Sequence, residues 1–207
     1  MLNRSAIILA GGFSKRFGQD KGLLQLSNKP LISHVLDVVD IIVDEKIVIV
    51  SSKAQTEKYS KVLGTDVRVL VDTSDVHGPL VGALTGFEAA HGKYSLLLPC
   101  DTPFVSSDIV QLLLELCINK SAAIPRWPNG YIEPLQAAYC TELALCAGAG
   151  ALREGKLNLQ SMVNKFRGVR YVSTLVLEQL DPQLETFLNI NTPLDLKRAE
   201  SLLSKRG

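Results

Sequence analysis

Residues 6–21 read AIILAGGFSKRFGQDK. A short apolar run ends at Leu9, and the loop after it holds Gly11, Gly12 and Gly18 with Lys15, Arg16 and Lys21. An apolar run of this length closed by glycine predicts a buried strand over Ser5–Leu9. Glycine allows backbone amides to approach an anion with no Cβ in the way. Arg16 and Lys21 add charge, and a guanidinium can hold two oxygens at once. The spacing is neither G-x-x-x-x-G-K-[ST], because Gly22 follows Lys21, nor G-x-G-x-x-G. Two readings stay open on these residues alone: a phosphate cradle, or an ordinary basic strand-to-helix loop.

Working outward, strand and helix signals alternate. Pro30 fits a first helical position, and Leu31, Val35, Val38, Val39 and Ile42 recur at helical spacing. Lys46–Val50 is a β-branched run, as a strand covered on both faces would be. A helix over 54–63 stopped by Gly64, a strand over Val67–Val71, a helix over 79–90 and a strand over 94–98 follow. Ser106 or Ser107 can cap a helix through Cys117, and 122–125 reads as a fifth strand. This order predicts a largely parallel sheet with right-handed crossovers and helices on both faces. Beyond Pro125 the pattern loosens: a strand over 135–139, helices over 142–152 and 157–166, and a strand over 169–172. Thr192 and Pro193 then open a helix to about Leu203. No repeat or linker interrupts the chain, so one domain over 1–207 is expected.

The 207 residues are 46% hydrophobic and only 6% aromatic, so the core is aliphatic and large enough to need no staple. The balance of 22 basic to 21 acidic side chains argues against a nucleic-acid partner. Cys100, Cys117, Cys140 and Cys146 form no C-x-x-C pair, which argues against zinc and for reduced thiols in the cytoplasm. No apolar run approaches the ~20 residues of a membrane span, and no secretory segment is read at the N-terminus.

In open α/β sheets ligands sit beyond the carboxyl ends of the strands. The residues expected there are 9–21, 51–53, 72–82 and 100–102. Asp101 could hold Mg²⁺ against substrate phosphates, since Mg²⁺ takes one or two carboxylates plus phosphate oxygens; it could equally cap the turn around Pro103. Asp72 has the same two readings. Asn189 and Asn191 bracket Ile190, so strand alternation would put both amides on one side; the alternative is that they are turn residues before the helix. His77 is a loop histidine or a base. His34 and His91 read as helix residues without a role. Cys100 reads as a structural thiol, and Trp127 and Tyr131 either stack on a flat heterocycle or anchor their loop.

The stretches LAGGFSKRFGQDKGLLQL, NKPLI, VDTSDVHGPLVGAL, PCDTPFV and LNINTPLDL, in this order, resemble the molybdenum cofactor guanylyltransferases. The resemblance runs from residue 6 to about residue 199, and the compound pattern is specific where no single piece is. It implies a single Rossmann-like three-layer α/β domain with a mostly parallel sheet, of the nucleotide-diphospho-sugar transferase type. Residues 1–105 would bind nucleotide and 106–207 the acceptor.

The implied activity is transfer of GMP from GTP to the terminal phosphate of molybdopterin or Mo-molybdopterin, with loss of pyrophosphate and Mg²⁺ as cofactor. By the same resemblance Leu9, Ala10, Gly11 and Gly12 cradle GTP, with Lys21 as the loop lysine and Asp72 holding the nucleotide. Asp101 is the metal ligand, and Asn189 and Asn191 lie on the acceptor side. Arg16 and Lys21 would stabilise charge on the leaving pyrophosphate. Gly12 is similar to the guanylyl enzymes, whereas cytidylyl relatives tend to have alanine before a single glycine. Where some members carry an asparagine at the nucleoside, this chain has Ser51 and Ser52, and Ser51 is the expected substitute. The family also implies transient contact with molybdoenzymes or cofactor-insertion proteins. Two alternatives stay open: another nucleotidyltransferase, acting with CTP or on a sugar phosphate or phospholactate, and a GTP-binding regulatory protein without transfer activity.

Overall fold

The computed structural model describes residues 3–11, 13, 14, 17–72, 74, 76 and 78–205, and only the backbone at 13 and 14. Seven strands form one sheet: β1 (Arg4–Leu9), β2 (Glu45–Val50), β3 (Val67–Val71), β4 (Tyr94–Pro99), β5 (Ala122–Arg126), β6 (Ala137–Cys140) and β7 (Val169–Ser173). Their order is β7-β5-β6-β4-β1-β2-β3. β6 alone runs antiparallel to its neighbours; the other pairings are parallel.

The helices are α1 (Leu31–Val39), α2 (Lys53–Val62), α3 (Pro79–Ala89), α4 (Ser107–Leu116), α5 (Thr141–Arg153), α6 (Leu159–Val163), α7 (Thr174–Leu177) and α8 (Pro193–Ser204). Alternation along β1 sends Ala6 and Ile8 to one face and Ile7 to the other. The first face packs on Ile32, Val35 and Val39 of α1, Tyr59 of α2 and Ile109 and Leu113 of α4. The second packs on Leu80, Ala83 and Phe87 of α3, Ala144 of α5 and Met162 of α6. A third cluster, with Leu26, Leu31, Phe104, Ile190 and Ala199, seats α8 beside the loops. Among the described residues no helix is long and apolar enough to cross a membrane.

Helix α3 lies close on the sheet because of Gly86. A Cβ there would stand 2.3 Å from Cγ2 of Ile7, a buried core atom. Glycine inside a helix costs about 1 kcal/mol against alanine, and here that cost accompanies the close approach.

The caps follow the sequence. Ser106 accepts from Ile109 at the start of α4, and Thr192 and Asp195 form a capping box at α8. Three expectations need correction. Pro30 is the residue before α1, because Lys29–Pro30 pairs with Gln25–Leu26 in a hairpin turned by Ser27 and Asn28 at φ 50° and 63°. α1 ends at Val39, not Ile42; Ile42 only closes a turn onto the Val39 carbonyl, and Ile41 is 87% exposed. His91 lies beyond the end of α3, where its Nδ1 meets Oε1 of Glu45 at 2.9 Å.

Candidate active site

The strand order reverses direction between β1 and β4, and the site forms there. Backbone bonds continue the ladder past the strand ends. Ala10 donates to the Ile49 carbonyl at 2.8 Å, Cys100 to Leu9 at 3.1 Å, and Asp72 to Val50 at 2.8 Å. The residues after β1, β2, β3 and β4 are thereby held along one edge.

At that edge Lys21 Nζ donates to Oδ2 of Asp101 and to Oδ1 of Asn191. The lysine side chain is 18% exposed and the aspartate 11%. The Ile190 amide donates to the Asp101 carbonyl at 2.9 Å, which fixes the C-terminal segment against the β4 loop. Three segments remote in sequence therefore meet at one ammonium group.

Asp101 gives Lys21 one carboxylate oxygen, and its Oδ1 has no hydrogen bond among the described residues. Nor do the described residues contain a group of three His, Cys, Asp or Glu side chains placed to hold a metal. A divalent cation here would take one carboxylate oxygen from Asp101 and complete its shell from bound phosphate, a pattern that suits Mg²⁺.

Two adjoining cavities open among the loops at the strand ends. The first, about 270 Å³, is lined by Leu9, Gly11, Ser51, Asp72, Gly78 and Pro79 among others. Ser51 Oγ donates to the Gly11 carbonyl at 2.5 Å, and a Cβ on Gly11 would stand 2.2 Å from that oxygen. A side chain at Gly11 would therefore displace the Ser51 hydroxyl from this bond and crowd the Ser51 backbone nitrogen at 3.3 Å. Asp72 Oδ1 accepts from the Ser74 amide at 3.1 Å and from Thr85 Oγ1 at 3.5 Å. The second cavity, about 350 Å³, is lined by Pro99, Tyr131, Glu133, Gln136, Gln160 and Asn189 among others, and it shares Pro79 and Leu135 with the first. Because β6 is antiparallel, the residues leading into it lie at the carboxyl edge of its parallel neighbours. That reversal carries Glu133–Gln136 to the site.

Leu9, Gly11, Ser51 and Asp72 therefore gather at one cavity, and Lys21, Asp101 and Asn191 at the cluster. Ala10 is buried, with its carbonyl taken by Tyr59 Oη at 3.4 Å. Gly12, Arg16 and His77 lie outside the described residues. The segment 189–191 is not a strand: Ile190 is buried, Asn191 meets Lys21, and Asn189 lines the second cavity with its Nδ2 donating to the Phe187 carbonyl. Cys100 is buried, and burial, with Asp101 next, pushes its thiol far above the usual range. It is a structural thiol.

A family model described as MobA-like NTP transferase domain matches residues 6–168. The chain belongs to the MobA-like NTP transferase family. A probable molybdenum cofactor guanylyltransferase of Methanosarcina mazei is 36% identical over 199 residues, covering 94% of this chain and 88% of that protein. One from Pyrococcus horikoshii is 33% identical, covering 92% and 96%. The crystal structure of molybdopterin-guanine dinucleotide biosynthesis protein A from Archaeoglobus fulgidus superposes with a TM-score of 0.82 at 28% identity, covering 97% of this chain and 99% of that one.

One feature of this MobA-like site was not anticipated from the sequence. Gln55 Nε2 donates to the buried Oδ1 of Asp20 at 2.7 Å, and its Oε1 accepts from the Ser51 amide at 2.8 Å. Lys58 reaches the other Asp20 oxygen at 3.1 Å. The amide can serve both partners in one orientation only. Gln55 thus ties the residue before Lys21 to the loop that clamps Gly11. The only local hint was an acid directly preceding the loop lysine. Gln55→Leu removes both bonds while keeping the bulk. We expect a loss of about 1–3 kcal/mol in stability and of roughly tenfold to 10²-fold in kcat/KM through misplacement of the two loops. Thermal melts and nucleotide titrations check this; a variant matching the parent in both leaves Gln55 without a positioning role.

Proposed function

We propose that this chain transfers GMP from GTP to the terminal phosphate of molybdopterin or Mo-molybdopterin, releasing pyrophosphate and forming the guanine dinucleotide cofactor. The observation that carries this reading is the near full-length likeness to relatives named molybdenum cofactor guanylyltransferase, at 33% and 36% identity. Two cavities that share Pro79 and Leu135, at the sheet edge that also carries Lys21 and Asp101, suit a reaction that joins two ligands. In this reading residues 1–105 hold the nucleotide and 106–207 most of the acceptor, and the reaction belongs to the cytoplasm.

The attacking group is a phosphate oxygen, already anionic at neutral pH, so the transfer needs no strong general base. Catalysis then rests on positioning and on neutralising charge. Gly11 lets the loop backbone approach the phosphates. Ser51 and Asp72 line the nucleoside side. Lys21 carries its charge to the phosphates as pyrophosphate departs, and Arg16 assists. Asn191 orients the lysine, while Asn189 faces the acceptor. Mg²⁺ on Asp101 would supply charge neutralisation at the α-phosphate.

Pyrophosphate release tests the reading, with GTP, CTP, ATP and UTP each offered with Mg²⁺ and molybdopterin or Mo-molybdopterin. Release is expected with GTP and only with an acceptor present. Release with CTP instead would move the chain to the cytidylyl branch. GTP binding without release in any mixture would overturn the transferase reading.

A further inference from the structure

Glu133 lines the second cavity and also a neighbouring one of about 490 Å³ that Trp127 and Phe187 line, and its carboxylate has few partners. Glu133 is half-buried, and Trp127 Nε1 donates to its Oε1 at 2.7 Å. That is its one side-chain hydrogen bond among the described residues, and no cation among them pairs with it. An ionised carboxylate can accept about four donors. Desolvation pushes the Glu133 carboxyl above the usual range, and the Trp127 bond opposes this. A partly desolvated carboxylate gains when a further donor arrives.

The carboxylate is also held in place. Trp127 packs edge-on against Phe187 with ring centroids 5.6 Å apart, and the Glu133 amide donates to the Pro125 carbonyl at 3.0 Å. Tyr131, 61% exposed at the rim, offers an aromatic face. Pro79 and Leu135 form apolar wall shared with the first cavity.

We propose that Glu133 reads the 2-amino-4-oxopyrimidine edge of a pterin acceptor, taking the ring N3–H and the exocyclic amino N–H on its two carboxylate oxygens. The choice of a pterin rests on the function proposed above; the residue and the edge it reads are new. Guanine carries a similar edge, but the nucleoside-side residues Ser51 and Asp72 line the other cavity. Glu133 therefore selects the acceptor and leaves the nucleotide untouched.

The test uses the whole protein and the fluorescence of two simple ligands, pterin and lumazine, in which oxygen replaces the 2-amino group. The parent protein is expected to bind pterin about tenfold or more tighter than lumazine, the effect of one charge-assisted hydrogen bond. Glu133→Gln presents an amide N–H to the same edge. It should lose the preference while GTP affinity and Tm stay unchanged. Equal binding of the two ligands by the parent, no measurable pterin binding, or a variant that keeps the preference would each overturn the proposal. So would a loss that appears in GTP binding instead. The parent's own pterin-to-lumazine ratio stands as a test even if the variant fails to fold. A parent that prefers pterin yet transfers no GMP would sink the proposed reaction and leave this recognition in place; transfer without the preference would do the reverse.

Discussion

Alanine at Lys21 is expected to slow acceptor-dependent pyrophosphate release by about 10²–10³, the usual cost of removing a preorganised charged contact from a developing negative charge. Lys21 bonds Asp101 and Asn191 at once, so a single ammonium stands where three loops converge. Its effect should fall on kcat more than on the KM for GTP, because the charge on the departing pyrophosphate is larger in the transition state than in bound GTP. The fold should survive. The pair is 18% and 11% exposed, at an edge that solvent reaches, so the loss of its partner strands Asp101 less severely than a fully buried ion would be. Lys21→Arg should recover only part of the rate, since a planar fork replaces a point charge between two fixed acceptors. Steady-state kinetics beside a thermal melt decide the matter. Near-normal turnover in a folded Lys21→Ala protein removes the residue from the mechanism.

Asp101→Asn is expected to cost as much, through a different route. The amide oxygen can still accept from Lys21, so the cluster keeps its shape and loses its negative charge. If Asp101 supplies the carboxylate to Mg²⁺, the concentration of Mg²⁺ needed for half-maximal rate should rise in Asp101→Asn by about tenfold or more, as expected for loss of a charged partner. Lys21→Ala should leave that concentration near its parent value. A Mg²⁺ titration of both variants separates the roles. An unchanged Mg²⁺ requirement in a slow Asp101→Asn enzyme assigns the aspartate to Lys21 alone.

Much of the fold was legible because its signals are local. β3 spans the expected Val67–Val71, Thr192 caps the helix it was read to cap, and of the two serines offered for α4 it is Ser106 that caps it. What escaped the sequence depends on contacts far along the chain. The direction of β6 is not written in four apolar-rich residues; it is set by its place between β4 and β5. That direction decides that Glu133 stands at the site. Gln55 and Asp20 are 35 positions apart and read separately as ordinary polar residues. Asn189 and Asn191 mimic strand alternation, yet the segment is held by the Ile190 bond to Asp101, the Asn191 bonds to Lys21 and Asp195, and the burial of Ile190. The gathering of Leu9, Gly11, Ser51 and Asp72 was predictable, since all follow from the strand ends of a parallel sheet.

The shared wall of Pro79 and Leu135 also bears on how turnover ends. In the proposed reaction each substrate would occupy one cavity and could leave alone. The dinucleotide product carries both recognition halves on one covalent tether, so a half that detaches is returned at high effective concentration by the half still bound. Escape then requires both halves to let go together. Such a site retains what it makes until a competing receiver, or the next pair of substrates, takes one half from it, and handing over the product becomes a step as much in need of a partner as the chemistry itself.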